Sequence, residues 1–365
     1  MQNSSELYLG IMSGTSLDGV DVTLIDLTAA PSIVASHFQP YSPGLVKDLL
    51  EMHTSGPDEL HRAQLTANQL AGHYADATRT LLQSAAVKAH RVRAIGCHGQ
   101  TVCHRPEHGY TLQLNNGALL AELSGITVVC DFRARDIAAG GQGAPLVPAF
   151  HNHVLRHPTL HRTILNIGGI ANLTDLAPNR PTTGFDTGPG NLLMNAWIGK
   201  HRGAAYDENG AWAGSGKIIP ALLQALLAEP YFATTPPKST GRDLFNLEWL
   251  ESHLNGNESP ADVQATLLAL TADSIVSAIR RDCAGAEEVY VCGGGAHNAA
   301  LITRLRTALP ECRMQKTDVM GIAADWMEAA AFAWLAQQTL HLHPANLPAV
   351  TGARHPCILG AIYPA

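Results

Sequence analysis

Gly10-Ile11-Met12-Ser13-Gly14-Thr15-Ser16-Leu17-Asp18-Gly19-Val20-Asp21 is the stretch that decides the fold. An apolar run, Leu7 to Met12, enters a glycine-rich turn, and a second apolar run, Val20 to Asp26, leaves it and ends in an aspartate. The pattern predicts a hairpin. Glycine lets the backbone take φ > 0 and approach a ligand closely, and successive N–H groups in such a turn make a concavity for anions. The hydroxyls of Ser13, Thr15 and Ser16 would add donors at the same tip.

The pattern returns at Asn166-Ile167-Gly168-Gly169-Ile170-Ala171-Asn172, between the run Thr163 to Ile167 and the run Leu173 to Asp175, a little under half of the 365-residue chain further on. A third turn, Cys292-Gly293-Gly294-Gly295-Ala296-His297-Asn298, follows another short apolar run. Two similar halves, each opening with strands and closing with helices, imply an α/β fold with mixed β-sheets flanked by helices, a nucleotide held between the halves. The expected domains are residues 1–135 with about 341–365, and residues 136–340.

Among the elements the periodicity predicts are strands at 6–12, 20–27, 32–38, 92–97 and 111–114, and a helix over 59–86. The second half is expected to carry strands at 161–167, 172–176, 182–186, 288–292 and 312–315, and helices at 191–201, 261–281, 298–308 and 321–338. Val263, Leu267, Leu268, Thr271, Ile275, Val276 and Ile279 share one face of the third-last of these. Residues 231–257, rich in Pro, Thr, Gly and Asn, are expected to be a mobile or inserted segment. The proline-containing tail from His341 is expected to pack back onto the first domain.

Composition narrows the function classes. A net charge of −7 with 15% charged residues, and no block of Lys or Arg, argues against a nucleic-acid partner. The N-terminal residues lack a basic region followed by an apolar one, and no uninterrupted apolar run approaches about 18 residues, so no membrane association is expected and a cytoplasmic protein is. Seven dispersed cysteines without a Cys-x-x-Cys pair suit reduced core thiols. His151-x-His153 and His341-x-His343 have no third ligand in the sequence to complete a zinc site.

Two familiar nucleotide motifs fail on spacing. Gly214-Ser215-Gly216-Lys217 is followed by Ile218 where a P-loop needs Ser or Thr, and Gly293-Gly294-Gly295 is not spaced as a dinucleotide fingerprint. ATP held by paired hairpins remains. In Phe185-Asp186-Thr187-Gly188-Pro189-Gly190-Asn191 an aspartate ends a predicted strand and glycines lead into a helix. Asp186 reads either as a general base beside a γ-phosphate or as a helix cap. Asp18 reads either as a Mg²⁺ partner or as half of an Asp-Gly turn. Arg133 and Arg135 are candidates to fork onto a carboxylate or phosphate. Glu328, in an apolar helical stretch, either faces a cleft or joins a hydrogen-bond network.

Taken in order with His98-Gly99-Gln100-Thr101 and Asp131-Phe132-Arg133, these motifs make the chain resemble the anhydro-N-acetylmuramic acid kinases, from residue 10 to the Thr351-Gly352 tail. The resemblance implies the fold shared by actin, sugar kinases and heat-shock ATPases. It implies a reaction in which water opens the 1,6-anhydro ring of 1,6-anhydro-N-acetylmuramic acid while O6 takes the γ-phosphate of ATP, in cell-wall recycling. By matching motif, Asp186 would activate the water and Glu328 would assist at the sugar. ATP would lie on Ser13, Gly14, Thr15, Ser16, Leu17, Asp18, Gly19, Val20 and Asp21, on Asn166, Gly168, Gly169 and Asn172, and on Gly293, Gly294, Gly295 and His297. His98, Gln100, Arg133 and Gln142 would line the sugar site with Asp186 and Glu328. Mg²⁺ would be held near Asp18 through water, and the protein would be a homodimer. A conventional hexosamine kinase, deprotonating a sugar hydroxyl instead of water, is the alternative.

Overall fold

The computed structural model describes residues 6–14 and 17–365. The proposed phosphate ligands Thr15 and Ser16 lie outside the described residues. The strands, in chain order, are β1 (Leu7–Ser13), β2 (Gly19–Asp26), β3 (Ser32–Pro40), β4 (Val92–Cys97), β5 (Gln100–Arg105), β6 (Tyr110–Leu114), β7 (Val128–Cys130), β8 (Arg162–Ile167), β9 (Ile170–Leu176), β10 (Thr183–Pro189), β11 (Glu288–Cys292), β12 (Arg313–Lys316) and β13 (Ala361–Tyr363).

The chain divides into two compact units. The first is residues 6–154 with Gly321–Ala365, the second Leu155–Met320. The sequence had placed these boundaries nineteen or twenty residues away, at 135/136 and 340/341. The reason for the later of the two differences lies in the helix Met327–Leu340, which packs on β1 and β4 of the first unit.

In the first unit the sheet order is β13-β7-β4-β1-β2-β3. β1 is antiparallel to β2 and parallel to β4, and β2 is antiparallel to β3, with Met12 opposite Asp21. β1 is central and apolar on both faces, so its residues are almost all buried, whereas β3 alternates at the edge. The helix Glu59–Ser84 packs on β2 and β3 and buries Leu70, Ala71, Tyr74 and Leu81 in the core. On β1 and β4 the helix Met327–Leu340 comes so close that a Cβ on Gly10 would stand 1.7 Å from the Ala329 carbonyl oxygen, and one on Gly96 1.9 Å from that of Phe332. Both obstacles are backbone and cannot swing aside. Gly10→Ala is therefore expected to destabilise the protein by about 3 kcal/mol, the upper range for overpacking, read as a lowered denaturation midpoint at unchanged slope. The tail does return to this unit: β13 pairs antiparallel with β7, Ala361 opposite Cys130.

The second unit repeats the topology. Its order is β10-β9-β8-β11-β12; β9 is antiparallel to both β8 and β10, and β11 is parallel to β8 and β12. Reading β3-β2-β1-β4-β7 against β10-β9-β8-β11-β12, every pairing has the same sense. The helix Pro260–Asp282 is its core: it is long and apolar enough to cross a membrane by length and composition, yet 83% of its most apolar stretch is buried in the protein. All seven residues expected on its apolar face are buried.

Several elements differ from expectation. β5 and the helix Phe132–Ala138 were not foreseen, and Arg133 stands in the first turn of that helix. The last long helix starts at Met327, after a short turn at Ala324–Trp326, so Glu328 lies in its first turn. β10 continues past Asp186 to Pro189, its pairing with β9 shifting between Asp186 and Gly188. The segment 231–257 carries the short helices Pro230–Ala233 and Leu247–Glu251.

Candidate functional site

In the first unit the β1–β2 hairpin carries the first glycine turn. Its Ser13 hydroxyl is not presented at the tip. It is 1% exposed and bonded to the Tyr41 hydroxyl at 2.6 Å and to Gln100 Oε1. Gln100, fully buried, donates from Nε2 to the Gly14 carbonyl at 3.1 Å. Both side chains thus brace the turn from within, leaving Ser13 to contribute backbone and Gln100 to act through the turn. Leu17, Gly19 and Val20 are buried, Gly14 is half-buried and Asp18 is exposed.

Asp21 is half-buried, and its carboxyl is pushed up to about 7 by burial, then by the charges of Asp18, Glu328 and Asp325. Four carboxylates are thus gathered about the hairpin. Such a set repels itself and would gain from a cation. Among the described residues no three His, Cys, Asp or Glu side chains converge as a complete metal site.

Beside the hairpin, His98 donates from Nδ1 to the Ser13 carbonyl at 3.2 Å, and its Nε2 accepts from Arg133 Nη2 at 2.8 Å and Nε at 3.2 Å. One nitrogen must be protonated and the other bare, so the ring is neutral. Burial, then the Arg133 charge, pulls its pKa down to about 3. Arg133 also donates from Nη1 to the Gly143 carbonyl at 2.8 Å. Burial lowers its guanidinium to about 10, opposed by Glu328 and Asp136, so it remains a cation at neutral pH. Gln142, exposed on the same glycine loop, has its N–H on the Thr351 carbonyl at 2.7 Å.

Sequence reasoning missed what holds this loop. Asp136 is fully buried and accepts from the Gly143 N–H at 2.8 Å, Asn346 Nδ2 at 2.6 Å and the Thr351 hydroxyl at 2.7 Å. The resemblance reached as far as Thr351 in the tail but gave it no role. Asp136→Ala takes the acceptor from three buried donors, each worth about 1–3 kcal/mol; the Gly143 N–H loses its partner outright, while Asn346 Nδ2 and the Thr351 hydroxyl keep long contacts of 3.4 Å to the His355 and Leu347 carbonyls. The substitution is expected to cost at least about 3 kcal/mol in urea unfolding.

In the second unit the β8–β9 hairpin carries Gly168 and Gly169, tied to the residues after β10: Gly190 and Leu192 donate to the Gly169 carbonyl, and Asn191 to that of Gly168. Gly190 admits this, since a Cβ there would meet the Gly168 oxygen at 2.4 Å. Register brings Cys292, Asn166, Asn172 and Asp186 into one row across four strands. Directly opposed residues share a face, so three proposed site residues stand side by side.

Asp186 accepts on Oδ2 from the Thr240 N–H at 3.0 Å, and burial pushes its carboxyl up to about 6, against the lowering effects of that bond and of Lys238. It does not cap a helix. Gly293 leaves β11 with φ +77°, and Gly294–His297 form a single helical turn. Lys316, which sequence reasoning missed, sets Nζ 3.2 Å from His297 Nδ1. A cavity of about 240 Å³ beside this turn is lined by Ala296, His297, Arg306 and Lys316 among others.

Glycine hairpins able to hold phosphate, in two sheets of one topology, and a desolvated carboxylate able to take a proton, are the parts of a phosphotransferase. Comparison with known proteins specifies it. The family described as anhydro-N-acetylmuramic acid kinase matches residues 6–365. A protein of that name from Thiobacillus denitrificans is 54% identical over 368 residues, covering 100% of this chain and 98% of its own. One from Nitrosomonas europaea is 54% identical over 362 residues, covering 98% and 99%. Among solved structures, a glucokinase of the ROK family from Streptomyces griseus, in complex with glucose and AMPPNP, covers 91% of this chain and 99% of its own at 12% identity and a TM-score of 0.44. The chain belongs to the anhydro-N-acetylmuramic acid kinase family.

Proposed function

We propose that this chain uses ATP and water to convert 1,6-anhydro-N-acetylmuramic acid to N-acetylmuramic acid 6-phosphate, in the recycling of cell-wall sugars. Membership of the family over the whole chain favours this over a conventional hexosamine kinase.

Asp186 is the base. What carries this assignment is a carboxyl pushed up to about 6 with one oxygen, Oδ2, already engaged by an amide. Oδ1 is then the atom that takes the proton of water as it adds to the anomeric carbon. O6 departs with the electron pair of the broken bridge and is captured by the γ-phosphoryl group, the bond to ADP breaking in turn. Attack opposite to O6 inverts the anomeric carbon. Arg133, held in place by His98, faces the lactyl carboxylate of the sugar; Gln142 and Glu328 assist at the same substrate. The backbone of residues 14–21 and 168–169 carries phosphates, and 293–297 the adenosine.

The oxygen-only donor set of Asp18 and Asp21 fits Mg²⁺, which takes one or two carboxylates and completes its shell with phosphate and water. When bound, Mg²⁺ supplies charge neutralisation for the phosphates. A reducing cytoplasm suits seven free cysteines, five of them buried. The homodimer carried by the resemblance is checked by light scattering.

The test is incubation with Mg-ATP and the anhydro sugar in ¹⁸O-water, with the product weighed by mass spectrometry. One heavy oxygen at the anomeric position is expected. Phosphorylation of the free amino sugar without label, and no reaction of the anhydro sugar, identifies the hexosamine kinase instead.

A further inference from the structure

The segment 231–240 engages all but one of the polar groups of Asp186. The Asp186 N–H donates to the Lys238 carbonyl at 3.2 Å, as a further strand would on the open edge of β10. The Asp186 carbonyl, which a regular ladder would give to an amide, instead accepts from the Tyr231 hydroxyl at 2.8 Å. That frees the Thr240 N–H to reach the side chain, at Oδ2. Lys238 closes the arrangement: its Nζ lies 4.5 Å from the centre of the Tyr231 ring and donates to the Tyr231 carbonyl at 3.2 Å. The turn is seated by its aromatic residues, Tyr231 and Phe232 both packing on fully buried Phe245.

We propose that residues Tyr231–Thr240 form a strap that positions Asp186, fixing Oδ1 as the oxygen that takes the proton, with Tyr231 and Lys238 as its positioning residues. This rests on the reading of Asp186 as the base. It gives a use to a stretch whose composition suggested an insertion. A carboxylate with both oxygens free can present either to its substrate and must be oriented anew at each turnover. Here the amide of Thr240, the hydroxyl of Tyr231 and the carbonyl of Lys238 remove that freedom by holding one residue at three points.

The strap also carries charge. Lys238 is the charged side chain acting on Asp186 among the described residues; it faces Arg281 and Asp282 in turn, and Tyr231, held well above the usual phenol range by burial, stays neutral. A nearby cation favours ionised Asp186, so its removal must raise the pH at which the base becomes active.

The experiment is the pH dependence of kcat for the full chain and for Lys238→Met, Lys238→Arg, Tyr231→Phe and Asp186→Asn. Lys238→Met is expected to move the acid limb upward by about half a unit or more, and Lys238→Arg to leave it in place. The position of a limb does not depend on how much of a preparation is folded. Tyr231→Phe is expected to lower kcat about tenfold, the scale of one hydrogen bond, with KM for both substrates unchanged. An unmoved limb in Lys238→Met, or an unchanged kcat in Tyr231→Phe, overturns the strap while an inactive Asp186→Asn leaves the base intact. An active Asp186→Asn removes the base and the strap together.

Discussion

Asp186→Asn is expected to lower kcat by about a hundredfold or more, the weight of a general base, with ATP and sugar affinities unchanged. The geometry makes the substitution clean. Asparagine presents an oxygen to the Thr240 amide as aspartate Oδ2 does, and its backbone keeps the bonds to Lys238 and Tyr231. What is lost is the basic oxygen. In the parent enzyme kcat should fall as pH drops through about 6, since burial sets that value and only ionised Asp186 can accept a proton. Calorimetry for binding and stopped assays for turnover separate the two effects. Near-parental turnover in Asp186→Asn would end its candidacy.

Arg133→Ala should weaken sugar binding by about thirtyfold or more, as expected for a charge-assisted hydrogen bond of about 2 kcal/mol, and leave ATP binding nearly untouched. Arg133→Lys should do little better. The guanidinium spans His98 Nε2 and the Gly143 carbonyl at once, and a point charge on a flexible stem cannot. Because burial and the Arg133 charge hold His98 neutral down to about 3, His98 itself should contribute no change in sugar affinity between pH 5 and 8. Titration of the sugar into each variant by calorimetry decides; equal affinity in Arg133→Ala removes the residue from the site.

The hairpins were legible because their signal is local: glycines between two apolar runs favour a reversal of the chain, as in the antiparallel pairs β1–β2 and β8–β9. The repeat of topology followed from the same signal. β5 was not legible, since Gln100–Arg105 is polar and pairs only with β6 at the margin. Neither was the seven-residue helix Phe132–Ala138, too short to show a period and entered through Asp131 at φ +57°. At the site, carboxylates and arginines announced themselves by type, but their partners did not. The bracing of Ser13 by Gln100 spans 87 positions and that of Asp136 by Thr351 spans 215. Such pairs come from packing, and no window of sequence contains them. The later division of the chain differs from the expected one for the same reason, because the helix Met327–Leu340 is claimed by β1 and β4 from far along the chain.

That close seating of Gly10 and Gly96 against a helix from the C-terminal part of the chain sets an order of events during synthesis. Domains fold as units while the chain emerges. Residues 155–320 are continuous and can complete their sheet as they leave the ribosome, whereas β1 and β4, made before them, wait for the helix Met327–Leu340 to cover the face it packs on. A nascent chain ending at Met320 should therefore hold a protease-resistant second unit and a digestible first one.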